Sequence, residues 1–372
     1  MVGLQRSVPF FNYPRLFLDD EQNLLNIITE VGHRGAFIMQ QDLRDFETAL
    51  AAYTGAKHAV GVANATDGLE LAWMAVGLRP GDEVICCSHT MLATAASIVT
   101  AGGTPVPVEL GIDNLIDPDA VEAAINRRTV GIMPTQLNGR TCNMDRIMGI
   151  ADKQGLFVVE DAAQALGSKF KGKAAGTFGQ ASAISFFPAK VLGCLGDGGG
   201  VITNDEHIFD LVYQLHDHGR DVNGEVRCWG RNSRLDNLQA AILNHGLKSY
   251  DKVIERRRFI AGLYQNRLGD LNELQLPPAP DADPDHFDVY QNYELQGDRR
   301  DELKEYLRVN GIGTLIQWGG KAVHQFERLG FTCRLPKVER FFERCIMLPM
   351  NMFISDDDVH YICDKIRQFY RG

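Results

Sequence analysis

Strand-like and helix-like segments alternate in this chain from about residue 42 to residue 245, and this alternation constrains the fold more than any other feature. Short apolar runs are followed by segments whose apolar residues recur at helical spacing. Alternation of this kind is typical of a mostly parallel sheet with helices on both faces. Strands are predicted at 58–63, 84–87, 105–108, 130–133, 156–159, 183–187 and 200–203, and helices near 91–101, 118–127 and 143–153. We therefore predict an α/β protein.

The pattern changes after about residue 250. A charged helix near 252–258 leads into a link rich in proline and aspartate at 276–285, a composition that favours turns. The residues that follow the link indicate a smaller α/β unit. Because a chain of 372 residues can form one large domain and a smaller one, we predict a large domain over 1–250 and a small C-terminal domain over 251–372.

Charge and composition exclude several classes of partner. The formal net charge is −10, whereas the phosphates of nucleic acids attract basic surfaces. No stretch approaches the roughly 20 apolar residues of a membrane-spanning helix, and no signal-peptide pattern opens the chain, so we expect a cytoplasmic protein. Its eight cysteines are scattered without a C-x-x-C pair, so we expect free thiols and no metal site.

Lys190 follows a predicted strand and precedes a glycine-rich turn at 193–200. A lysine at such a strand end can lose solvent, which lowers the pKa of its amine and makes it nucleophilic. From this position alone, an ordinary surface lysine remains the alternative.

Two further segments lie at predicted strand ends. Glu160 and Asp161 follow the apolar run at 156–159, at the edge where open α/β sheets bind ligands, although a helix cap is an alternative role for this acidic pair. Thr66 is the predicted N-cap of the next helix in the segment 64–68, and a helix N-terminus attracts anions. Plain capping is the alternative there. Earlier in the chain, Asp42 is the predicted cap of a helix that stops at Gly55.

The usual nucleotide-binding motifs are missing. No G-x-x-x-x-G-K-[ST] occurs, because Gly172-Lys173 and Gly320-Lys321 are both followed by alanine. The run at 196–200 does not fit G-x-G-x-x-G, because the last glycine position falls on Val201. These observations disfavour a Rossmann dehydrogenase.

Four segments in this order resemble the DegT/DnrJ/EryC1/StrS sugar aminotransferases, a branch of the fold-type I pyridoxal-phosphate enzymes. They are Val159-Glu-Asp-Ala-Ala-Gln164, Ser185-Phe-Phe-Pro-Ala-Lys190, Leu195-Gly-Asp-Gly-Gly199 and Asn232-Ser-Arg-Leu-Asp236. The resemblance runs from about residue 8 to the C-terminus. It implies a large cofactor-binding domain with an N-terminal arm, a mostly parallel sheet and a smaller C-terminal α/β domain.

The resemblance also implies roles for individual residues. Lys190 is expected to form the Schiff base with pyridoxal 5'-phosphate and to shuttle the proton. Asp161 is expected to pair with the pyridine nitrogen, and Gln164 to lie beside the ring. The residues expected to hold the phosphate are Ala65, Thr66, Asp67, Ser185 and, from the neighbouring subunit, Asn232. This last role implies a homodimer with shared sites.

Some positions depart from the family pattern. Met91 stands where an aromatic residue usually stacks on the cofactor ring, and His89 is the alternative stacking residue. The loops that are expected to touch the sugar also differ. The substrate-binding residues that we predict are His89, Gln136, Asn138, Arg234, Trp318 and His324.

The resemblance implies amino transfer, with glutamate as donor, to a 3- or 4-keto nucleotide-linked deoxysugar. The cofactor would alternate between its pyridoxal and pyridoxamine forms. A keto cyclitol or an unactivated keto sugar is an alternative acceptor. A dehydratase of the family would carry histidine in place of Lys190, and a non-catalytic regulator would not need Lys190, Asp161 and Gln164. The nucleotide and the ring carbon remain open.

Overall fold

The computed structural model describes residues 6–371. Its strands are β1 (His58–Val62), β2 (Glu83–Cys87), β3 (Thr104–Val108), β4 (Thr129–Met133), β5 (Phe157–Asp161), β6 (Lys169–Phe170), β7 (Lys173–Ala174), β8 (Ala181–Ser185), β9 (Gly199–Thr203), β10 (Leu274–Gln275), β11 (His286–Phe287), β12 (Tyr293–Gly297) and β13 (Cys345–Leu348).

Helices connect and flank these strands. They are α1 (Tyr13–Leu18), α2 (Glu21–Arg34), α3 (Gln41–Thr54), α4 (Ala65–Ala75), α5 (Leu92–Thr100), α6 (Pro118–Ala124), α7 (Met144–Gln154), α8 (Glu206–His216), α9 (Asn237–Leu247), α10 (Tyr250–Leu268), α11 (Arg300–Val309), α12 (Pro336–Arg344) and α13 (Asp356–Arg371). Short 3-10 turns lie at Leu137–Gly139, Gln317–Gly320, Val323–Gln325 and Glu327–Leu329. None of the helices within residues 6–371 combines the length and the apolar character needed to cross a membrane.

The central sheet has seven strands in the order β1-β9-β8-β5-β4-β2-β3. The strands from β8 to β3 run parallel, and β9 is antiparallel to both of its neighbours. The predicted α/β fold with a mostly parallel sheet is thus confirmed. Because β5 and β8 are adjacent and parallel, with Asp161 opposite Ala183, their carboxyl ends open at the same edge of the sheet.

Alternating side chains of the central strands bury both faces of the sheet, as the pleat requires. On β2, Ile85 packs with Val121 and Ile147 of α6 and α7. Its neighbour Val84 packs with Trp73 and other residues on the opposite face, where α4, α5 and α8 lie. Because both faces of the sheet are buried, the strands appear in the sequence as continuous apolar runs.

A second core lies around the antiparallel sheet β10-β12-β13, which packs against α10, α11 and α13. The N-terminal arm joins this unit, because the Val8 N–H donates to Gly311 at 2.8 Å and the Gly313 N–H donates to Val8 at 2.8 Å. Helix α10 contributes Tyr250 to one core and Tyr264 to the other. The domain boundary at residue 250 therefore stays a prediction.

Two predicted helix caps are wrong. Helix α4 begins at Ala65 with Asn64 as its N-cap, whose side chain accepts a hydrogen bond from the Asp67 N–H at 2.9 Å. Thr66 lies inside the first turn, because the extended backbone that an N-cap needs occurs at Asn64. Asp42 likewise lies inside the first turn of α3, where its carboxylate pairs with Arg34. Gly55 ends α3 in the left-handed conformation, as predicted.

Candidate active site

Lys190 lies in a tight turn just beyond β8, and the turn is held from several sides. Its N–H donates to Phe187 at 2.8 Å. The Gln291 side chain accepts from the Val191 N–H and donates to the Ala189 carbonyl, both at 2.9 Å. These contacts fix the backbone on both sides of Lys190.

The Lys190 side chain lines a cavity of about 490 Å³, together with Gln164, Asn292, Gln317 and Trp318. Burial lowers the pKa of the Lys190 amine to about 8, and the charge of Asp161 acts in the opposite direction. The amine is therefore available as a nucleophile at a pH where most lysines remain protonated.

Asp161 ends β5 at the same edge of the sheet. Thr94 Oγ1 donates to its Oδ2 at 2.6 Å, and the Ala163 N–H donates to its Oδ1 at 3.2 Å. Burial raises the pKa of the Asp161 carboxyl, whereas the Thr94 hydrogen bond and the charge of Lys190 favour its ionised form. Asp161 thus presents a buried, oriented carboxylate near the amine of Lys190.

Glu160 points to a different part of the molecule. Its carboxylate accepts hydrogen bonds from the Gly176, Phe178 and Gly179 N–H groups at 2.8, 2.6 and 2.9 Å. Gln136 Nε2 adds another at 2.7 Å. Because side chains alternate along β5, Glu160 binds the loop at 176–179, whereas Asp161 lies near Lys190.

Gln164 belongs to a network of amides at the cavity wall. Its Oε1 accepts from the Asn138 N–H at 2.9 Å. Asn138 Oδ1 accepts from Asn292 at 2.8 Å and from Gln317 at 3.0 Å. The buried carboxylate of Glu294 accepts from the side chains of Asn138 and Gln317. Asn138 has a φ of 55°, which lets its backbone turn toward Gln164.

The start of α4 approaches β9 closely. A Cβ on Gly199 would lie 2.5 Å from the carbonyl carbon of Asn64 and 2.7 Å from the Ala65 nitrogen, so only glycine fits there. The Asp67 N–H donates a hydrogen bond to the side chain of Asn64, the N-cap. The Asp67 carboxylate accepts a hydrogen bond from the Ser233 hydroxyl at 2.7 Å. The start of the helix therefore offers the N–H groups of Ala65 and Thr66 to an anion.

These residues fit pyridoxal phosphate. Lys190 supplies an amine whose pKa is lowered, and Asp161 supplies a carboxylate suited to a protonated ring nitrogen. The first turn of α4, with Ser185 at the end of the adjacent β8, supplies donors suited to a phosphate. Within residues 6–371, no group of three or more His, Cys, Asp or Glu side chains is arranged to hold a metal ion.

A family model matches nearly the whole chain: the DegT/DnrJ/EryC1/StrS aminotransferase family, over residues 18–367. The chain belongs to this family. It is similar to a pleiotropic regulatory protein of Geobacillus stearothermophilus, with 36% identity over 98% of this chain and 99% of that protein. It is also similar to the dTDP-3-amino-3,4,6-trideoxy-alpha-D-glucose transaminase of Streptomyces venezuelae, with 35% identity over 97% and 96%. The solved structure of S. venezuelae DesV matches with a TM-score of 0.94 at 35% identity, covering 98% of this chain and 99% of that one.

The two alternative stacking residues of this DegT-family aminotransferase lie in different surroundings. His89 is buried, its Nδ1 donates to the Asn114 carbonyl at 2.8 Å, and its ring centroid lies 4.3 Å from that of Phe341. Met91 is 53% exposed and directly precedes α5. His89 is thus held within the core of the chain, whereas Met91 is exposed, and the residue that stacks on the cofactor ring stays a prediction.

The other predicted substrate residues also divide into two groups. Trp318 lines the cavity with Lys190, and Asn138 holds the cavity's amide wall. Gln136 and His324 are buried elsewhere: Gln136 binds Glu160 and the Cys142 N–H, and His324 Nδ1 lies 2.7 Å from the Ser88 hydroxyl. Within this chain neither residue lines that cavity.

Arg234 and Asn232 lie at the base of a hairpin between α8 and α9. Arg234 pairs with Asp217 at 3.0 Å, and the backbone of Asn232 bridges to Asp217. The Asn232 side chain is exposed, and farther along the hairpin Trp229 is 97% exposed. The structure of one chain therefore leaves Asn232 available to another subunit.

Two residues of the aminotransferase site were missed by the sequence analysis. Thr94 holds Asp161, and Gln291 holds the turn of Lys190, from 67 and 100 residues away respectively. No local pattern signals such contacts. The placement of Thr94 in the first turn of a helix that starts at the sheet edge is the one signal that could have suggested its role.

Proposed function

We propose that this chain is a pyridoxal-phosphate aminotransferase that transfers an amino group from glutamate to a 3- or 4-keto nucleotide-linked deoxysugar. The resulting amino sugar would serve polysaccharide or glycoconjugate biosynthesis. The observation that carries this proposal is the Lys190 amine at a cavity walled by amides, with a pKa lowered by burial and with Asp161 near enough to act on it by its charge. The transaminase from Streptomyces venezuelae acts on a dTDP-linked sugar by its name, which supports this acceptor class.

The cofactor, when bound, supplies an electron sink that weakens bonds to the carbon bearing the amino group. Lys190 Nζ would hold the cofactor and then, as a neutral amine, take up and return a proton at that carbon. Asp161 would keep a positive charge on the ring nitrogen by charge-assisted hydrogen bonding. Gln164 would orient the ring, and Ala65, Thr66 and Ser185 would bind the phosphate. The half-reaction with the acceptor would require the aminated form of the cofactor.

The cavity wall supports a sugar as the acceptor. Gln164, Asn292 and Gln317 contribute neutral amides, which pair with hydroxyl groups. Trp318 and Phe11 add aromatic surface for the apolar face of a sugar ring. The same features fit a keto cyclitol or an unactivated keto sugar, which therefore remain the alternative acceptors.

A buried cation supports an amino-acid donor. Arg257 lines the cavity with Lys190, and its guanidinium donates to the Met350 carbonyl. Burial lowers the pKa of Arg257 to about 10, so the group stays charged at neutral pH. No carboxylate of residues 6–371 forms an ion pair with it. Glutamate would bring carboxylates to this cavity.

A homodimer completes the proposal. Met91 is 53% exposed and Phe187 45% exposed beside the residues of the site, and Trp229 is almost fully exposed on its hairpin. Exposed large apolar side chains become favourable contacts when a second chain covers them. A second copy that covers it could bring Asn232 to the phosphate. We propose the cytoplasm as the site of the reaction, because glutamate and nucleotide-linked sugars would be its substrates.

The deciding experiment follows 2-oxoglutarate release from glutamate with a panel of dTDP-, UDP-, GDP- and CDP-linked 3- and 4-keto sugars. Unlinked keto sugars and keto cyclitols form the comparison set. We expect turnover only with a nucleotide-linked acceptor, and none with Lys190→Ala. If only a keto cyclitol were turned over, the acceptor would be a cyclitol and not a nucleotide-linked sugar. A regulatory role, as in the name of the Geobacillus relative, would be favoured if wild-type protein bound the cofactor but turned over no acceptor.

A further inference from the structure

A line of buried hydroxyl groups ends on Asp161. Thr94 Oγ1 donates to Asp161 Oδ2 at 2.6 Å. Thr90 Oγ1 lies 2.7 Å from Thr94 Oγ1 and 3.0 Å from Thr135 Oγ1. All four side chains are buried, so no bulk water competes for these contacts. The line begins just after β4, passes through the loop before α5, and reaches the end of β5.

Each hydroxyl has one proton, and this fixes the direction of the line. When Asp161 is ionised, the Thr94 proton must point to the carboxylate. The contact between Thr90 and Thr94 then needs the Thr90 proton, and the contact between Thr135 and Thr90 needs the Thr135 proton. All three protons therefore point toward Asp161, and hydrogen bonds aligned in this way strengthen one another.

The line has no equivalent arrangement for Asp161 protonated on Oδ2, and a proton on Oδ1 would weaken the charge-assisted hydrogen bond that Thr94 donates. If Asp161 Oδ2 donated its proton to Thr94, each hydroxyl would have to turn away from it. Thr135 would then need a new acceptor, and its hydroxyl contacts only Thr90 within the described part of the chain. The arrangement thus favours the ionised carboxylate, whereas burial favours the neutral acid.

We propose that Thr94 is a positioning residue that keeps Asp161 ionised and aimed at the cofactor ring nitrogen, with Thr90 and Thr135 fixing the direction of its hydroxyl. The inference rests on the proposed function, because it assigns the effect of Thr94 to that ring nitrogen. It explains how a fully enclosed acid can remain a carboxylate where the reaction needs one.

The other groups that face Asp161 do not replace Thr94. The Lys190 amine favours the carboxylate by its charge, but this contribution disappears when the amine is neutral. The Cys86 thiol on β2 is near enough to feel the carboxylate, and burial raises the pKa of that thiol to about 12, so it stays neutral. The Ala163 N–H binds the other carboxylate oxygen. Thr94 is therefore the side chain that binds Oδ2 directly.

The test uses full-length holoenzyme loaded with pyridoxal phosphate that carries ¹⁵N in its ring. Thr94→Val removes the hydroxyl and keeps the shape, and Thr94→Ser keeps the hydroxyl. Thr100→Val, at an exposed position of the same helix, is the matched control. The ¹⁵N chemical shift reports protonation of the ring nitrogen, and single-turnover measurements with glutamate separate the rate from substrate affinity.

For Thr94→Val we expect the ring nitrogen to lose its proton at lower pH than in wild type. The single-turnover rate should fall on the order of ten- to a hundredfold, the range for losing a hydrogen bond to a charged group, with little change in the KM for glutamate. Thr94→Ser should restore both readouts, and Thr100→Val should match wild type. Thr90→Val should give a smaller shift in the same direction.

The inference is overturned if the ¹⁵N titration of Thr94→Val matches wild type, or if Thr94→Ser fails as badly as Thr94→Val in a folded protein. Should Thr94→Val not fold, the Thr90→Val titration decides, and an unchanged ring nitrogen there rejects the inference. Failure of the proposed function gives a different result, because wild-type protein would then either not hold the cofactor on Lys190 or complete no turnover with glutamate, whatever the ¹⁵N titration of the Thr94 variants shows.

Discussion

Single residues at the sheet edge determine the chemistry, and Lys190 is the clearest case. Lys190 lies in the turn that follows β8, and burial lowers the pKa of its amine to about 8. The neutral amine, which is the nucleophile, is therefore present at mildly alkaline pH without help from another base. The lysine's reactivity can be tested without substrate.

We predict that Lys190 of cofactor-free protein is acylated with a midpoint near pH 8, because the neutral form appears as pH rises through the pKa. Ordinary lysines follow a midpoint of about 10.4. Pulse labelling over a pH series, read by peptide mass spectrometry, gives both curves at once. Between the lowered pKa of folded Lys190 and the ordinary lysine pKa, the unfolded chain binds the proton more tightly than the folded chain does. The free energy of unfolding should therefore rise with pH over this range. A midpoint for Lys190 near 10.4 would contradict the buried position.

The neighbouring acids of β5 provide a second prediction at this scale. Asp161→Asn should fold normally and retain the cofactor, yet lose several orders of magnitude in turnover, because a neutral amide does not stabilise a charged ring nitrogen. Glu160→Gln should instead lower the free energy of unfolding by about 1.5–3 kcal/mol, since its carboxylate holds three backbone N–H groups. Turnover and denaturant unfolding measured on both variants would separate the roles. Near-normal turnover of Asp161→Asn would show that Asp161 does not stabilise the ring nitrogen.

At the scale of elements, the site depends on how closely a strand and a helix approach each other. Gly199 of β9 faces the first turn of α4, where even a methyl group would meet the backbone of Asn64 and Ala65. The same turn is capped by Asn64 and offers N–H groups to an anion. The packing of β9 and the proposed phosphate binding are therefore coupled through one glycine.

We predict that Gly199→Ala pushes α4 away from β9 and weakens cofactor binding at least tenfold, on the scale of about 1.4 kcal/mol per factor of ten. Gly149→Ala is the matched control, because Gly149 lies within α7 with open space around it and alanine should stabilise the helix by about 1 kcal/mol. Equilibrium titration with pyridoxal phosphate and thermal unfolding measure the two effects. Wild-type cofactor affinity in Gly199→Ala would show that the helix start does not bind the phosphate.

At the scale of the whole molecule, we propose that two chains complete each site. Mixed dimers of Lys190→Ala and Asn232→Ala subunits should recover up to about half of the wild-type activity per dimer, since one of the two sites would then receive both wild-type groups. Sedimentation should show that activity follows the dimer, because cofactor occupancy depends on association. Mixing Lys190→Ala with wild-type-like Lys153→Ala subunits is the control. A fully active monomer, or no recovery in verified mixed dimers, would reject the shared site.

Sequence predicted the parts of this molecule that depend on short-range patterns. Buried strands such as β2 and β4 show as apolar runs, and Gly55 marks a helix end, because these signals lie within a few residues. The resemblance identified Lys190 and Asp161 as candidates, and the structure places both at one sheet edge. The caps at Thr66 and Asp42 were misassigned because neighbouring polar residues compete for the same role. Thr94 and Gln291 were missed because their contacts form only once distant segments pack together.

The pairing of Val8 with the strand-like segment at 311–313 sets an order of events during synthesis on the ribosome. The arm that carries Phe10 and Phe11 can reach its place in the cavity wall only after residue 313 has left the exit tunnel. The central sheet, which ends at Thr203, is complete in sequence long before that point. Contacts between residues so far apart form late, because loop closure must come first. A nascent chain can thus assemble the strand ends that hold Asp161 and Ser185 while its cavity is still open on one side.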